Sequence, residues 1–373
     1  MKTDKENIKA FFALLRAGLW EQGCRLPAFD RIDFKDVYKL ASEQAVVGLI
    51  AAGLEHVEGN RLPREAVLPF MGQVLQLERR NKAMNAFIEE LMARFRASGI
   101  NAVIVKGQGV AQCYERPLWR TCGDVDLLLD SVNYEKAKQL LQPLASSVED
   151  EDKARRHLAM TLSSWVVELH GTLFTHQLLR LNRVIGEVQD AVLLKNQVRI
   201  WTNGRENVSL PSPDNDVFFI FSHILQHYFV EGIGLRQICD WCRLLWIHKD
   251  SIDAGLLERR LRSAGIMTEW KAFAALAADW LGMPSEAIPL YSGSSRWSRK
   301  ARHIISLILE TGNFGHNRDN SYRSRSPFLV RKAIALWRYT CDSVSHFLDF
   351  PLNSIRVWIN IILGGIKSVI FTD

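Results

Sequence analysis

No stretch of this sequence has the make-up of a membrane span, a disulfide framework or a nucleic-acid surface. The longest uncharged run of the aromatic, basic tail from Pro327 to Phe371 is Val357 to Ile366. It falls far short of the roughly 20 residues a spanning helix needs. A core or partner-binding helix is expected there, with an interfacial, membrane-peripheral helix as the alternative. The six cysteines, Cys24, Cys113, Cys122, Cys239, Cys242 and Cys341, are scattered. Met1 leads into an amphipathic pattern without the apolar core of a secretory signal, so free thiols in a reducing cytoplasm are expected. Cys239 and Cys242 have CxxC spacing, but no second pair completes a zinc site, and two core thiols one helical turn apart are expected. Net charge is only +6, from 47 Lys and Arg against 41 Asp and Glu. That excess suits phosphate-bearing ligands and is too small to signal nucleic acid. There is no internal repeat and no low-complexity segment.

The chain does have ample material for a core: 373 residues, 47% of them hydrophobic, enough for two or three domains. Apolar residues at helical period predict an N-terminal helical region over residues 1–95. It holds one helix at Ile8 to Leu19, another from Asp36 to Leu54, and more from Leu68 to Phe95. Arg79, Arg80 and Lys82 read as a solvated helix face. Residues 96–210 mix strands and helices. They include two short helices or loops at His176 to Val184 and Val188 to Leu194, and a hairpin about Asn203-Gly204. Pro211-Ser212-Pro213 opens a C-terminal helical region over 211–373, with Asp214 as N-cap. Its first helix, from Val217, is apolar nearly all round and therefore buried. In its second, Arg236 and Asp240 have the i, i+4 spacing of an ion pair.

The most informative stretch is Val103 to Asp130. Ala102 to Val105 reads as a buried strand, and Lys106-Gly107-Gln108-Gly109 as a tight glycine turn. On the strand that follows, Asp124 and Asp126 project to one face while Val125, Leu127 and Leu129 face the other. Two carboxylates side by side repel each other unless a divalent cation lies between them. An oxygen-only pair suits Mg²⁺ or Mn²⁺. A third acid, Glu168, sits in the strand-like run Ser164 to Gly171. Trp165, Val167 and Leu169 share one face there, and Val166, Glu168 and His170 the other. If the two strands are neighbours, the three acids surround one site.

These residues resemble a family. A Lys-Gly turn, a DVDLLL strand and a later VELH strand, with Tyr114 and Arg120 between, look like the polymerase-beta-like nucleotidyltransferase superfamily. The likeness is to a bacterial branch of uncharacterised members, common near polysaccharide-synthesis genes. The resemblance is best from about Phe87 to Leu210 and looser from His223 to Leu245. It implies an α+β fold, a small mixed-sheet core flanked by N-terminal and C-terminal helical regions. It also implies transfer of a nucleoside monophosphate from an NTP to an acceptor hydroxyl on a small molecule, glycan or protein.

In that reading Asp124, Asp126 and Glu168 hold the metal, and Glu168 takes the acceptor's proton. Lys106, Gly107 and Gln108 face the nucleotide, and Arg120 clamps the leaving pyrophosphate. His170, His223 and Arg236 stand on the acceptor side. The superfamily turn usually carries a Gly-Ser pair, and Lys106 to Gly109 has none. That departure favours an alternative from another class, a catalytically silent scaffold that binds partners.

Overall fold

The computed structural model describes residues 4–26, 29–59, 62–175, 179–317 and 327–370. At its centre is a mixed sheet of β1 (Val103–Val105), β2 (Asp124–Leu128), β3 (Ser147–Val148), β4 (His157–Leu162), β5 (Trp165–His170), β6 (Val198–Asn203) and β7 (Glu206–Pro211). The strand order is β3-β4-β5-β2-β1-β7-β6. β2 pairs parallel with β5 and β1 parallel with β7, and the other neighbours are antiparallel. A sheet with helices before and after it in the chain is the α+β arrangement the sequence implies.

The two-residue period of the strands sorts the side chains as expected. Val125, Leu127, Leu129, Val167 and Leu169 are buried in one cluster. There they meet Met84, Ile88 and Leu91 of the long helix α4 (Arg64–Ala97) and Tyr134, Ala137 and Leu141 of α6 (Ser131–Leu141). Asp130 fixes the start of α6: its carboxylate accepts from the backbone N–H groups of Val132 and Asn133. The carboxylates of β2 are left on the opposite side of the sheet.

The turn after β1 opens a helix. Lys106 has φ 59° and ψ −148°, and Gly107, with φ 44°, begins α5 (Gly107–Ala111). Gly109 lets α5 lie on the sheet, because a Cβ there would stand 2.8 Å from a methyl of Leu210.

Helix boundaries differ from the sequence reading in four places. The expected helix from Asp36 to Leu54 is two, α2 (Phe34–Glu43) and α3 (Val47–Glu55). They break at Ala45, where φ is 55°. The buried amide of Gln44 holds that break by bonding Ile308 O and Leu235 N. Leu68 to Phe95 belongs to one 34-residue helix, α4, that starts at Arg64 and includes Pro69. The two segments expected beyond His176 form one helix, α7 (Leu179–Leu193), and His176 itself lies outside the described residues. Ser212 is the N-cap of α8 (Pro213–Val230), and Asp214 lies in its first turn. There its carboxylate accepts from the Asp253 backbone N–H.

The chain continues through α9 (Leu235–Ile247), α10 (Ala254–Ala264), α11 (Met267–Asp279), α12 (Ser295–Thr311), α13 (Phe328–Phe347) and α14 (Pro351–Ile370). One apolar core joins α1 (Lys5–Trp20), α2 and α3 to α7–α9 and α11. Polar ties cross it: Trp20 Nε1 donates to Leu281 O at 2.6 Å, and Arg243 donates to Leu19 O at 3.1 Å. Cys239 and Cys242 are fully buried free thiols, and burial pushes both up in pKa. Along α13, α14 and the link between them, His346, Phe350 and Val357 pack inward, while Trp337, Val344, Leu348, Leu352 and Leu363 are exposed. Among the described residues, no helix is long and apolar enough to cross a membrane.

α1 and α3 cross backbone to backbone. A Cβ on Gly18 would lie 1.8 Å from Leu49 O, and one on Gly53 2.0 Å from Leu14 O. Neither backbone can yield without separating the helices. Gly53→Ala is therefore expected to cost about 1–3 kcal/mol or more through overpacking. The urea midpoint of the variant checks it, and a wild-type midpoint contradicts so close a crossing.

Candidate functional site

The parallel register of β2 and β5 sets Asp126 beside Glu168. Asp124 shares their side of the sheet, two residues before Asp126. Carboxylate oxygens of Asp124, Asp126 and Glu168 all lie within 4.8 Å of one another. β1 pairs Val105 with Asp126, and the next residue, Lys106, places Nζ 2.7 Å from Asp126 Oδ1. His170 Nε2 lies 2.9 Å from Asp126 Oδ1 and 3.3 Å from Glu168 Oε2. His157, reaching across from β4, places Nε2 3.2 Å from the same Glu168 oxygen.

The electrostatics follow from this crowding. Burial raises the pKa of Asp124, and the neighbouring charge of Asp126 raises it further. Burial also raises Glu168, but hydrogen bonds from His157 and His170, with the Lys106 charge, outweigh it and hold Glu168 well below the usual carboxylate range. Lys106 and His170 show the mirror image. Burial lowers each, and the surrounding carboxylates more than restore it, so both end above their ordinary values.

A cavity of about 480 Å³ opens over Lys106, Gly107, Asp124 and Asp126. Its walls come from four helical stretches: Gln73, Gln76 and Arg80 of α4, His223 of α8, Arg236 and Gln237 of α9, and Asn313 with Phe314 after α12. Glu168 and His170 are not part of its lining and reach Asp126 from the neighbouring strand. His223 is pulled well below the ordinary histidine value by burial, then by Lys106 and His227, so its imidazole is neutral. His227 turns to Glu231, 2.8 Å away, and does not line the cavity.

Two nucleotide-side residues differ from the sequence reading. Gln108 is 2% exposed, and its amide donates to Asn81 Oδ1 at 2.9 Å. The side chain is turned into the core because position 108 lies inside α5, on the side that faces Asn81 and Met84 of α4. Arg120 borders the cavity, but both arms of its guanidinium engage Asp240, Nε to Oδ1 and Nη2 to Oδ2, each at 2.7 Å. Tyr114 adds a hydroxyl donor to the same carboxylate at 2.8 Å. Arg120 thus ties the approach to β2 to α9, with its charge paired to Asp240. The expected Arg236–Asp240 pair is not formed, since Asp240 has this bidentate partner. Arg236 donates to Thr121 O at 3.1 Å.

Sequence reading missed His157, Asn81 and Asn313. Nothing local in the chain marks them, for each gains its place from a partner distant in sequence. Arg79, Arg80 and Lys82 are exposed as expected, and Arg80 also borders the cavity.

A family model described as uncharacterised nucleotidyltransferase matches residues 30–282. The chain belongs to this family. The match takes in the whole sheet and helices α2–α11, so the strands that carry the acids and both helices α8 and α9 lie within the matched residues. Among solved structures, the chain is similar to an antigenic nucleotidyltransferase-like protein from Paracoccidioides brasiliensis. The two are 15% identical, the overlap covers 56% of this chain and 92% of that one, and the TM-score is 0.30. Comparison with curated proteins returned no match.

Proposed function

We propose that this protein is a metal-dependent nucleotidyltransferase that moves a nucleoside monophosphate from an NTP to an acceptor hydroxyl and releases pyrophosphate. The observation that supports this most is the trio of carboxylates from two parallel strands, gathered within 4.8 Å at the edge of a walled cavity. An all-oxygen donor set of this kind fits Mg²⁺ or Mn²⁺. Asp124, Asp126 and Glu168 would hold the ion, which when bound supplies neutralisation of charge on the phosphoryl oxygens. The lowered pKa of Glu168 suits a ligand better than a proton acceptor, so we assign it to holding metal. Lys106 and the backbone of Gly107 are proposed to face the triphosphate.

The acceptor, a small molecule, glycan or protein, is proposed to enter between α8 and α9. A polysaccharide-synthesis setting in the cytoplasm is part of the proposal. The rival reading, a catalytically silent scaffold, is favoured by one contact: Lys106 already sits 2.7 Å from Asp126, on a turn without a Gly-Ser pair. Incubation with each NTP and Mg²⁺ or Mn²⁺, read as pyrophosphate release and as a mass increment on candidate acceptors, separates the two. Absence of both signals with every NTP leaves the scaffold.

His223 and Arg236 test the acceptor side. Each lines the cavity, and each substitution by alanine removes one polar contact there. His223→Ala or Arg236→Ala is expected to raise the acceptor KM about 10-fold, with kcat less affected. A fallen melting temperature with unchanged kinetics of the folded fraction would mean that these residues serve helix packing only.

A further inference from the structure

His157 and His170 face each other across the antiparallel β4–β5 pair, so both rings sit on the side of the sheet that carries Glu168. Their Nε2 atoms converge on one oxygen, Glu168 Oε2, at 3.2 and 3.3 Å. The rings themselves are 4.8 Å apart between centroids. Two imidazoles closing on a single carboxylate oxygen are more than is needed to tether one glutamate. A tetrahedral ion with nitrogen and oxygen bonds of about 2.0–2.1 Å places its ligands roughly 3.3 Å from one another. The two nitrogen-to-oxygen separations match two edges of that polyhedron. One ligating atom from each of His157, Glu168 and His170 falls within 4.8 Å of the others. The side chains of His157 and Glu168 are 30% and 25% exposed, so an ion can arrive from solvent and keep a water as its fourth ligand.

We propose that His157, Glu168 and His170 form a zinc-binding position next to, and distinct from, the all-oxygen position of Asp124 and Asp126. Imidazole selects Zn²⁺ over Mg²⁺, which keeps to oxygen, so the two positions take different metals. Glu168 is common to both. Asp126 Oδ1, 2.9 Å from His170 Nε2, stands between them. The position follows from the two histidines and Glu168 and does not require nucleotidyl transfer. A protein without transferase activity would bind zinc here all the same.

The test uses the full chain, stripped with chelator and dialysed. Zn²⁺ is titrated by calorimetry, and ¹⁵N histidine spectra are recorded before and after. Wild type is expected to bind Zn²⁺ with the Nε2 resonances of His157 and His170 both shifting. His157→Gln is expected to weaken zinc binding by at least about 10-fold, with Mn²⁺ affinity little changed. Failure of the wild-type protein to bind zinc overturns the proposal, as does a shift of fewer than two histidines. So does a folded His157→Gln protein that binds zinc as tightly as wild type. The wild-type spectra decide the matter even if that variant does not fold. Zinc binding with no pyrophosphate release from any NTP overturns the transferase reading alone.

Discussion

Asp126→Asn is expected to lower the turnover of metal-dependent nucleotidyl transfer by about 10³-fold or more, because loss of a metal ligand removes several kcal/mol of transition-state stabilisation. The substitution keeps the shape of the side chain and removes its charge. It takes one of three converging carboxylates out of the site and leaves Lys106 facing Asp124 and Glu168 alone. The melting temperature of wild type should rise with Mg²⁺, and that rise should vanish in the variant. Three acids in one place suggest that the metal-free variant would be the more stable protein. The geometry argues otherwise, since Asp126 also neutralises Lys106 at 2.7 Å and accepts from His170 at 2.9 Å. No gain in metal-free stability is therefore expected. A variant that keeps turnover within about tenfold of wild type, or an unchanged Mg²⁺ response, would sink the assignment of Asp126.

Asp240→Ala should be the most damaging change to stability, at about 3–5 kcal/mol, the usual cost of stranding one partner of a buried ion pair. Arg120 is 7% exposed and Asp240 5%. Removing the carboxylate deprives Arg120 of both its charge-assisted bonds and Tyr114 of its acceptor. Chemical denaturation of the single variants and of Arg120→Met/Asp240→Leu measures the effect. The double variant should recover much of the loss, because a well-packed apolar pair often replaces a buried ion pair at little cost. If Asp240→Ala instead leaves stability intact while Arg120→Met weakens nucleotide binding, Arg120 is a phosphate clamp.

Strand phase was the most legible feature. Alternation of acid and aliphatic residues in Asp124 to Leu129, and of Glu168 with Val167 and Leu169, dictates which side chains share a face. The structure puts both acidic faces on the same side. The helix from Val217 was legible for a similar reason, as a run apolar all round has nowhere to go but inside. β4 escaped notice because His157 to Leu162 follows the charged stretch Glu149 to Arg156 and shows no clear alternation of its own. With β4 went His157, whose importance lies in its partner on β5. The role of Asp240 was misread because i, i+4 spacing states only which partner is near along one helix. A competitor 120 residues away in sequence, better placed for a bidentate bond, leaves no trace in local spacing. Gln108 was misread for a different reason: a glycine-rich tetrapeptide reads as a loop, yet Lys106 at positive φ delivers the chain straight into α5.

The parallel pairing of β2 with β5 has a kinetic side. A parallel pair cannot form from a hairpin, and the residues between Asp126 and Glu168 must first be folded back over α6, β3 and β4. Closing that loop comes early in cost and late in reward, so a partly collapsed chain holds no preformed nest of carboxylates. An ion that binds only the finished nest stabilises the native state and not the barrier leading to it. Metal supply would then govern how long a folded copy lasts, while the speed at which new copies fold is left to the sheet itself.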